Sequence, residues 1–274
     1  MKIAFKIEPS ADKNVALHLL TEVGDEDISF IIFSKAPFKI EGLYSLNFEK
    51  HITPKTYIDY VKRYIEETTF LREIDISSHT ICYNFSTSVL VPLQYFIEDE
   101  KQQILDQIFI PDKSRVCFQE SCKDQNIKNI YSVPSVIHNS FVEQYPSGIF
   151  SHSSSHQLSN RGATLYCIIY SSTIKVIFFK ETQLQIVQYF NYTIPADVCY
   201  HILNVTERFE SIASSVNLLL SGMIDIDSTL YKELYKYFLH INFAESKDII
   251  VSKNLEELPT HFYHHLTALA NADN

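Results

Sequence analysis

The chain has 274 residues, enough for one large core or for two domains of about 130 residues each. Hydrophobic residues make up 46% and charged residues 20%, a globular balance, and only 5 glycines leave little room for Gly-rich cofactor loops. The net charge of -10, without any basic run, argues against a nucleic-acid partner, because such binding rests on Lys and Arg neutralising phosphates.

Val15 to Glu22 is apolar and partly alternating, and Ile28 to Phe33 follows as a second strand. Gly24-Asp25 between them suits the positive-φ geometry of a tight hairpin. Phe38 to Phe48 completes a meander, and Pro54 opens a helix with Tyr57, Val61, Tyr64, Ile65 and Thr68 on one face. His79 to Phe85 reads as a strand. Pro92 opens another helix with Leu93, Phe96, Ile97, Ile104 and Leu105 as its apolar side. Arg115 to Glu120 and Ile127 to Val133 are short strands, and Ser135 to Gln144 is a helix. Residues 146–162, rich in Ser with Pro and Gly, form the best linker or surface loop of the chain.

The second half repeats the order. Ala163 to Tyr170, Thr173 to Lys180 and Leu184 to Tyr192 make a meander with short turns at Ser171-Ser172 and Glu181-Thr182-Gln183. Pro195 opens a helix carrying Val198, Ile202, Val205, Phe209 and Ile212 on one face. The apolar run Val216 to Leu220 then ends at Ser221-Gly222, where a glycine lets the backbone bend or be approached closely. A helix over 228–240, capped by Asp227 or Ser228, presents Leu230, Leu234, Tyr237 and Phe238. A strand from Ile249 to Ser252 and a helix around Leu258, Phe262, Leu266 and Leu269 close the chain. With the two short strands at 115–120 and 127–133 counted as one position, both halves read βββ-α-β-α-β-α, the element order of a ribonuclease-H-like unit. The expected fold is α/β with mixed sheets, two such units in tandem, 1–150 and 151–274, as in the actin-like ATPase architecture.

Several stretches resemble the bacterial family of unknown function DUF3822. They are Phe190-Asn191-Tyr192, the run Ala196 to Leu203, Leu218 to Gly222 and Asp227 to Tyr231. Val89-Leu90-Val91-Pro92 and Tyr145 to His152 are similar to the family's patterns in the first half. The resemblance spans most of the chain, is strongest from 190 to 243, and implies an actin-like ATPase fold without an assigned activity.

Actin-like ATPases hold phosphates with two hairpin loops, in which a carboxylate binds Mg²⁺ through water and glycine amides face phosphate oxygens. A later glycine pair lies against adenosine. Here Glu22 and Gly24 keep the first spacing, but Asp25, Glu26 and Asp27 would face the phosphates and repel them. Ser171 and Ser172 form the second hairpin without acid or glycine, and Ser221-Gly222 supplies one glycine where two are usual. Hairpins serving only as hairpins is the favoured reading. In the alternative, Glu22, Gly24, Ser171, Ser172, Ser221 and Gly222 converge on one cleft and bind ATP with Mg²⁺, or support phosphotransfer.

Other chemistry is weaker. His261, His264 and His265 form an HxxHH run on the last helix, in which His261 and His265 suit a shared metal but lack a third ligand. His152 and His156 lie among serines without a nucleophile elbow, and Cys117 with Cys122 is a spaced thiol pair. Asp225 and Asp227 sit where a helix N-terminus attracts carboxylates. The five cysteines are scattered, which favours a reducing compartment. Residues 1–14 lack the apolar core of a signal peptide, and no run reaches the about 18 apolar residues of a membrane span. The expectation is a cytoplasmic, non-catalytic protein that binds another protein or itself, with no cofactor, no metal and no catalytic residue.

Overall fold

The computed structural model describes residues 1–9, 15–49, 51–73, 75–122, 126–156, 165–181, 183–245 and 249–272. Residues 157–162 of the expected linker, the first residues of the strand expected from Ala163 and Thr182 of the expected turn lie outside them. The chain divides into two units. One comprises Met1–His156, Asp248–Glu257 and Leu269–Asn274; the other comprises Gln157–Lys247 and Leu258–Ala268.

In the first unit β1 (Lys2–Ile7), β2 (Leu17–Gly24), β3 (Asp27–Lys35) and β4 (Phe38–Asn47) precede α1 (Pro54–Glu67), α2 (Thr69–Glu73) and β5 (Ile76–Asn84). β1 extends the expected meander. Its Phe5 and Ile7 are partly buried while Lys2, Ile3 and Lys6 are exposed, and the strand pairs antiparallel with β4 with a register shift between Ile3 and Phe5. β2 and β3 are buried almost throughout, as strands covered on both faces must be. α1 starts as the sequence indicates. Thr53 Oγ1 accepts from Thr56 N at 3.2 Å, Pro54 needs no N–H partner there, and Tyr57, Ile58, Val61, Tyr64 and Ile65 are buried. Burying each such side chain contributes about 1.5–3 kcal/mol, and this face anchors α1 on the sheet.

The chain then leaves the sheet for a module of three antiparallel strands in the order β6-β8-β7. These are β6 (Ser88–Pro92), β7 (Arg115–Ser121) and β8 (Ile127–Pro134), with α3 (Lys101–Ile108) between β6 and β7. The single helix expected from Pro92 is not formed. Pro92 closes β6, two short 3-10 turns follow at Leu93–Tyr95 and Glu98–Glu100, and only then does α3 begin. The three acids at 98–100 stand before α3, where its dipole favours them, so the helix starts there. Leu93 and Ile97 are about half exposed, and Leu105 alone of that apolar set is buried.

α4 (Ser135–Gln144), β9 (Ile149–His152) and α5 (Ser153–His156) complete the unit. β9 pairs parallel with Thr80 to Tyr83 of β5. The surface loop expected over 146–162 is therefore overturned for 149–156. Ser151, His152, Ser153, Ser154 and Ser155 are buried, and hydrogen bonds to other elements make this polar run compatible with the interior.

The second unit holds β10 (Leu165–Ile169), β11 (Thr173–Lys180), β12 (Gln183–Asn191), α6 (Pro195–Arg208), β13 (Asn217–Gly222), α7 (Thr229–Leu234) and β14 (His240–Phe243). Leu165, Cys167 and Ile169 of β10 pack with Val198, Ile202 and Val205 of α6 and with Leu218 and Leu220 of β13. Tyr166, Ile168 and Tyr170 belong to the opposite face, with Ile177 and Phe179. α6 stops short of Ile212. Glu210 takes a positive φ of 53°, which turns the chain and leaves Ile212 exposed.

The helix expected over 228–240 ends at Leu234. Ser228, not Asp227, caps it, and Tyr237 is nearly half exposed while Leu230, Leu234 and Phe238 are buried. The following residues form β14, parallel to β13. β14 thus supplies the last strand of this sheet. Residues 250 and 251, part of the expected 249–252 strand, form β15 (Ile250–Val251) parallel to β4 in the first unit's sheet. Ser252 fixes that return, its N donating to Ile40 O at 2.8 Å and its Oγ to Glu41 O at 3.0 Å. A 3-10 turn at Thr260–Phe262 and α8 (His264–Ala272) follow.

The two sheets share one order. Five strands of the first run β4-β3-β2-β5-β9 and the second runs β12-β11-β10-β13-β14. Each is a meander followed by two parallel strands.

Candidate functional site

In α/β sheets, ligands gather outside the carboxyl ends of adjacent parallel strands. In the first unit that place is the end of β2 and β5, where Gly24 pairs with Asn84. Gly24 does not take the positive φ that the hairpin pattern suggested; among the described glycines Gly222 alone does. Gly24 is the last residue of β2, and Asp25-Glu26 make the turn. A Cβ at Gly24 would collide with the Asp27 carboxylate, so the absent side chain makes room for Asp27.

The three acids do not present one common face. Asp25 Oδ2 accepts from Ser86 N at 3.2 Å and from Ser86 Oγ at 3.0 Å, joining the turn to the segment after β5. Glu26 Oε1 accepts from His51 N at 3.2 Å. Asp27 is buried, and its backbone oxygen accepts from Tyr57 Oη at 2.8 Å. Burial first, and then the charges of Glu22, Asp25 and Glu26, push the Asp27 carboxyl well above its ordinary range. Glu22 is itself buried on β2.

The matching place in the second unit is the end of β10 and β13, where Ile169 pairs with Gly222. Gly222 has φ 86°, and a Cβ there would strike the backbone oxygen of Ile169. That oxygen accepts from Met223 N at 2.7 Å, and Ile224 N returns to Gly222 O at 2.8 Å. Ser171 is exposed and Ser172 buried in the turn after β10. Tyr192 closes this turn, its N donating to Ser172 O at 2.9 Å and its Oη to Tyr170 O at 2.6 Å.

The fold therefore brings Ser171, Ser172 and Gly222 to one end of neighbouring strands, while Glu22 and Gly24 belong to the first unit. Ser221 faces elsewhere: its Oγ donates to His261 O at 2.8 Å and lies 3.3 Å from His265 Nδ1. Within each unit, protein atoms occupy the space beside the glycine.

The histidines separate. His261 lies in the 3-10 turn before α8, donates from Nε2 to Ile224 O at 2.8 Å and stacks on Phe243. His264 Nδ1 is 3.2 Å from Tyr166 Oη, and His265 meets Ser221. Burial, with smaller effects of His264 and Lys175, lowers the His265 pKa to about 3. Among the described residues no three His, Cys, Asp or Glu side chains group as metal ligands. Cys117 and Cys122 are both free thiols whose pKa values burial raises, the latter to about 12, opposite to what a reactive thiolate requires. Asp225 Oδ1 accepts weakly from Asp227 N at 3.4 Å, a local turn before the α7 cap.

Sequence reasoning missed a buried polar network in the first unit. Glu120 of β7 accepts from His152 N at 2.7 Å and from Ser155 Oγ. Asn129 Nδ2 donates to Ser155 Oγ at 3.0 Å, and Ser153 Oγ to Asn84 Oδ1 at 2.6 Å. His152 Nε2 donates to Phe85 O at 3.1 Å. Burial raises the Glu120 pKa against the opposing pull of these donors. The network links the three-stranded module to β5, β9 and α5. Its one sequence signal was the serine run between two histidines.

The family model described as "Protein of unknown function (DUF3822)" matches residues 8–241. No curated protein sequence matches the chain. Among solved structures, a Bacteroides thetaiotaomicron protein with actin-like ATPase fold and unknown function superposes with a TM-score of 0.76 at 18% identity, over 94% of this chain and 97% of that one. A chain of the PilM–PilN type IV pilus biogenesis complex gives 0.62 at 9% identity, over 96% and 100%. The cytoplasmic domain of EpsL, an inner-membrane component of the Vibrio cholerae type II secretion system, gives 0.50 at 9% identity, over 94% of each chain. At these identities the likeness establishes the actin-like ATPase fold. No helix among the described residues is long and apolar enough to cross a membrane.

Proposed function

The chain belongs to the DUF3822 family of unknown function, and we propose that it acts as a non-catalytic scaffold that binds another protein through an actin-like ATPase fold. The observation that carries this reading is the filling of both glycine positions. Asp27 lies beside Gly24, and the Ile169 backbone lies against Gly222, so both glycines serve close contacts within the protein itself. Carboxylates in the first turn are an obstacle to a nucleotide, since anionic phosphates meet like charge. The similarity to a chain of the PilM–PilN complex supports a binding role by analogy of fold alone.

Calorimetric titration with ATP and with ADP, each with Mg²⁺, tests the reading. The expected result is no saturable heat at millimolar ligand. A saturable isotherm weakened by Ser171→Trp, a change in the exposed turn after β10, would overturn it and favour a divergent nucleotide binder.

A further inference from the structure

We infer that the three-stranded module of the first unit carries a docking site for an apolar segment of a partner protein that presents one Asp or Glu side chain to Arg115. This rests on the protein-binding reading above and gives the partner a chemistry.

A cavity of about 440 Å³ opens where α3, the segment after it, β7 and β8 meet. Leu105, Ile108, Phe109 and Ile110 form its apolar wall. Ile108 is 57% exposed and Ile110 93% exposed, an unfavourable display of aliphatic surface unless something covers it. Arg115 supplies the cation of the cavity wall. Its Nε donates to Ser132 Oγ at 2.9 Å, its Nη2 to Ser132 O at 2.7 Å, and its guanidinium lies over the Phe85 ring at 5.4 Å.

These contacts hold the planar group still without neutralising it. Among the described residues Arg115 forms no ion pair, and Nη1 has no acceptor. Asp25 and Asp112 act on it only at longer range. A preorganised, partly desolvated guanidinium is suited to a carboxylate, which it binds with charge-assisted hydrogen bonds.

The two acids of the lining narrow the choice. Asp106 Oδ1 already accepts from Gln102 Nε2 at 2.8 Å, and Asp112 Oδ1 accepts from Ser114 N at 2.8 Å and Ser114 Oγ at 2.6 Å. Both are exposed and partly screened, and because their repulsion grows with the charge of a ligand it weighs more on a multiply charged anion such as phosphate than on one carboxylate. A single carboxylate flanked by bulky apolar side chains satisfies Arg115 and covers Ile108 and Ile110 together.

The test is selection of a phage-displayed random peptide library on the purified full chain, then fluorescence-polarisation titration of the strongest peptide. Enriched peptides should pair Asp or Glu with bulky apolar residues. Replacing that acid by its amide, Arg115→Gln and Ile110→Asp should each weaken binding about tenfold or more. Ile110→Asp alters an exposed side chain and keeps the test open if Arg115→Gln fails to fold. Peptides lacking an acid, or binding indifferent to both variants, would overturn this site while leaving the scaffold reading intact. Competition by millimolar inorganic phosphate would overturn the ligand class. Self-association abolished by Ile110→Asp in sedimentation would make a second copy the occupant and overturn the foreign partner. An empty selection would overturn the site, and only saturable nucleotide heat beside it would overturn the scaffold reading.

Discussion

The carboxyl ends of β2 and β5 and those of β10 and β13 hold the same place in two sheets of the same strand order, yet different groups pack against their glycines. In the first unit side chains do it: Asp27 fills the space beside Gly24, and Asp25 binds Ser86 across 61 residues of sequence. In the second unit the backbone does it, with Gly222 at positive φ against Ile169 and Met223 N on the Ile169 oxygen. Topology sets where a strand end lies. Side-chain packing sets what can enter there, which is why a shared fold leaves function open.

The largest expected difference comes from the two glycines. Gly222→Ala forces a left-handed φ on a residue with a Cβ and drives that Cβ into backbone, costing on the order of 3 kcal/mol or more. Gly24→Ala meets a side chain that can shift, and about 1 kcal/mol is expected. Urea unfolding with hydrogen exchange should place the first loss in β10 and β13 and the second in β2 and β3. Equal costs would break the comparison.

Each unit also buries a histidine whose pKa burial lowers to about 3, His79 beside Thr21 at 2.7 Å and His265 beside Ser221 at 3.3 Å. Below the ordinary value of 6.5 the unfolded chain takes up a proton that the folded chain refuses until about pH 3. Both histidines therefore remove stability as pH falls through that window. Asp27 and Glu120, whose pKa values are raised, act in the opposite sense, since their folded carboxyls take protons first. The histidine part is isolated by difference: His79→Gln and His265→Gln should each flatten the fall in stability from pH 6.5 to about 3. Variants with the wild-type pH slope would show these imidazoles to be irrelevant to it.

The smallest effect is at the helix caps. Ser228→Ala removes the hydroxyl that accepts from Tyr231 N at 3.1 Å, and Thr53→Ala its counterpart on α1. About 1 kcal/mol is expected from each in thermal or urea unfolding. A much larger loss at Ser228 would show that six-residue α7 depends on its cap more than 14-residue α1 does.

Much of the frame was legible because period and punctuation are local. The buried runs of β2, β3 and β13, Pro54 and Pro195 at helix starts, and the glycine after Leu220 each signal their element within a few residues. What escaped had weak local signals. β14 lies in a stretch whose apolar spacing also suits a helix, and β1 is half exposed. The serines at 151–155 resemble a loop until Asn84, Glu120 and Asn129 arrive from other elements to satisfy them. Gly24 was legible as a special position but its cause was not, because Asp27 fills it from the next strand.

The sequence by itself determined the two meanders, the helices opened by Pro54 and Pro195, the glycine at the end of β13 and the family, since each rests on neighbours along the chain. Only the tertiary structure decided that β15 returns to the first sheet, that serines 151–155 are interior, and that the glycine positions are filled from within. Those outcomes depend on contacts between residues far apart in sequence. A hydrogen bond or collision formed on folding leaves no periodicity to read beforehand.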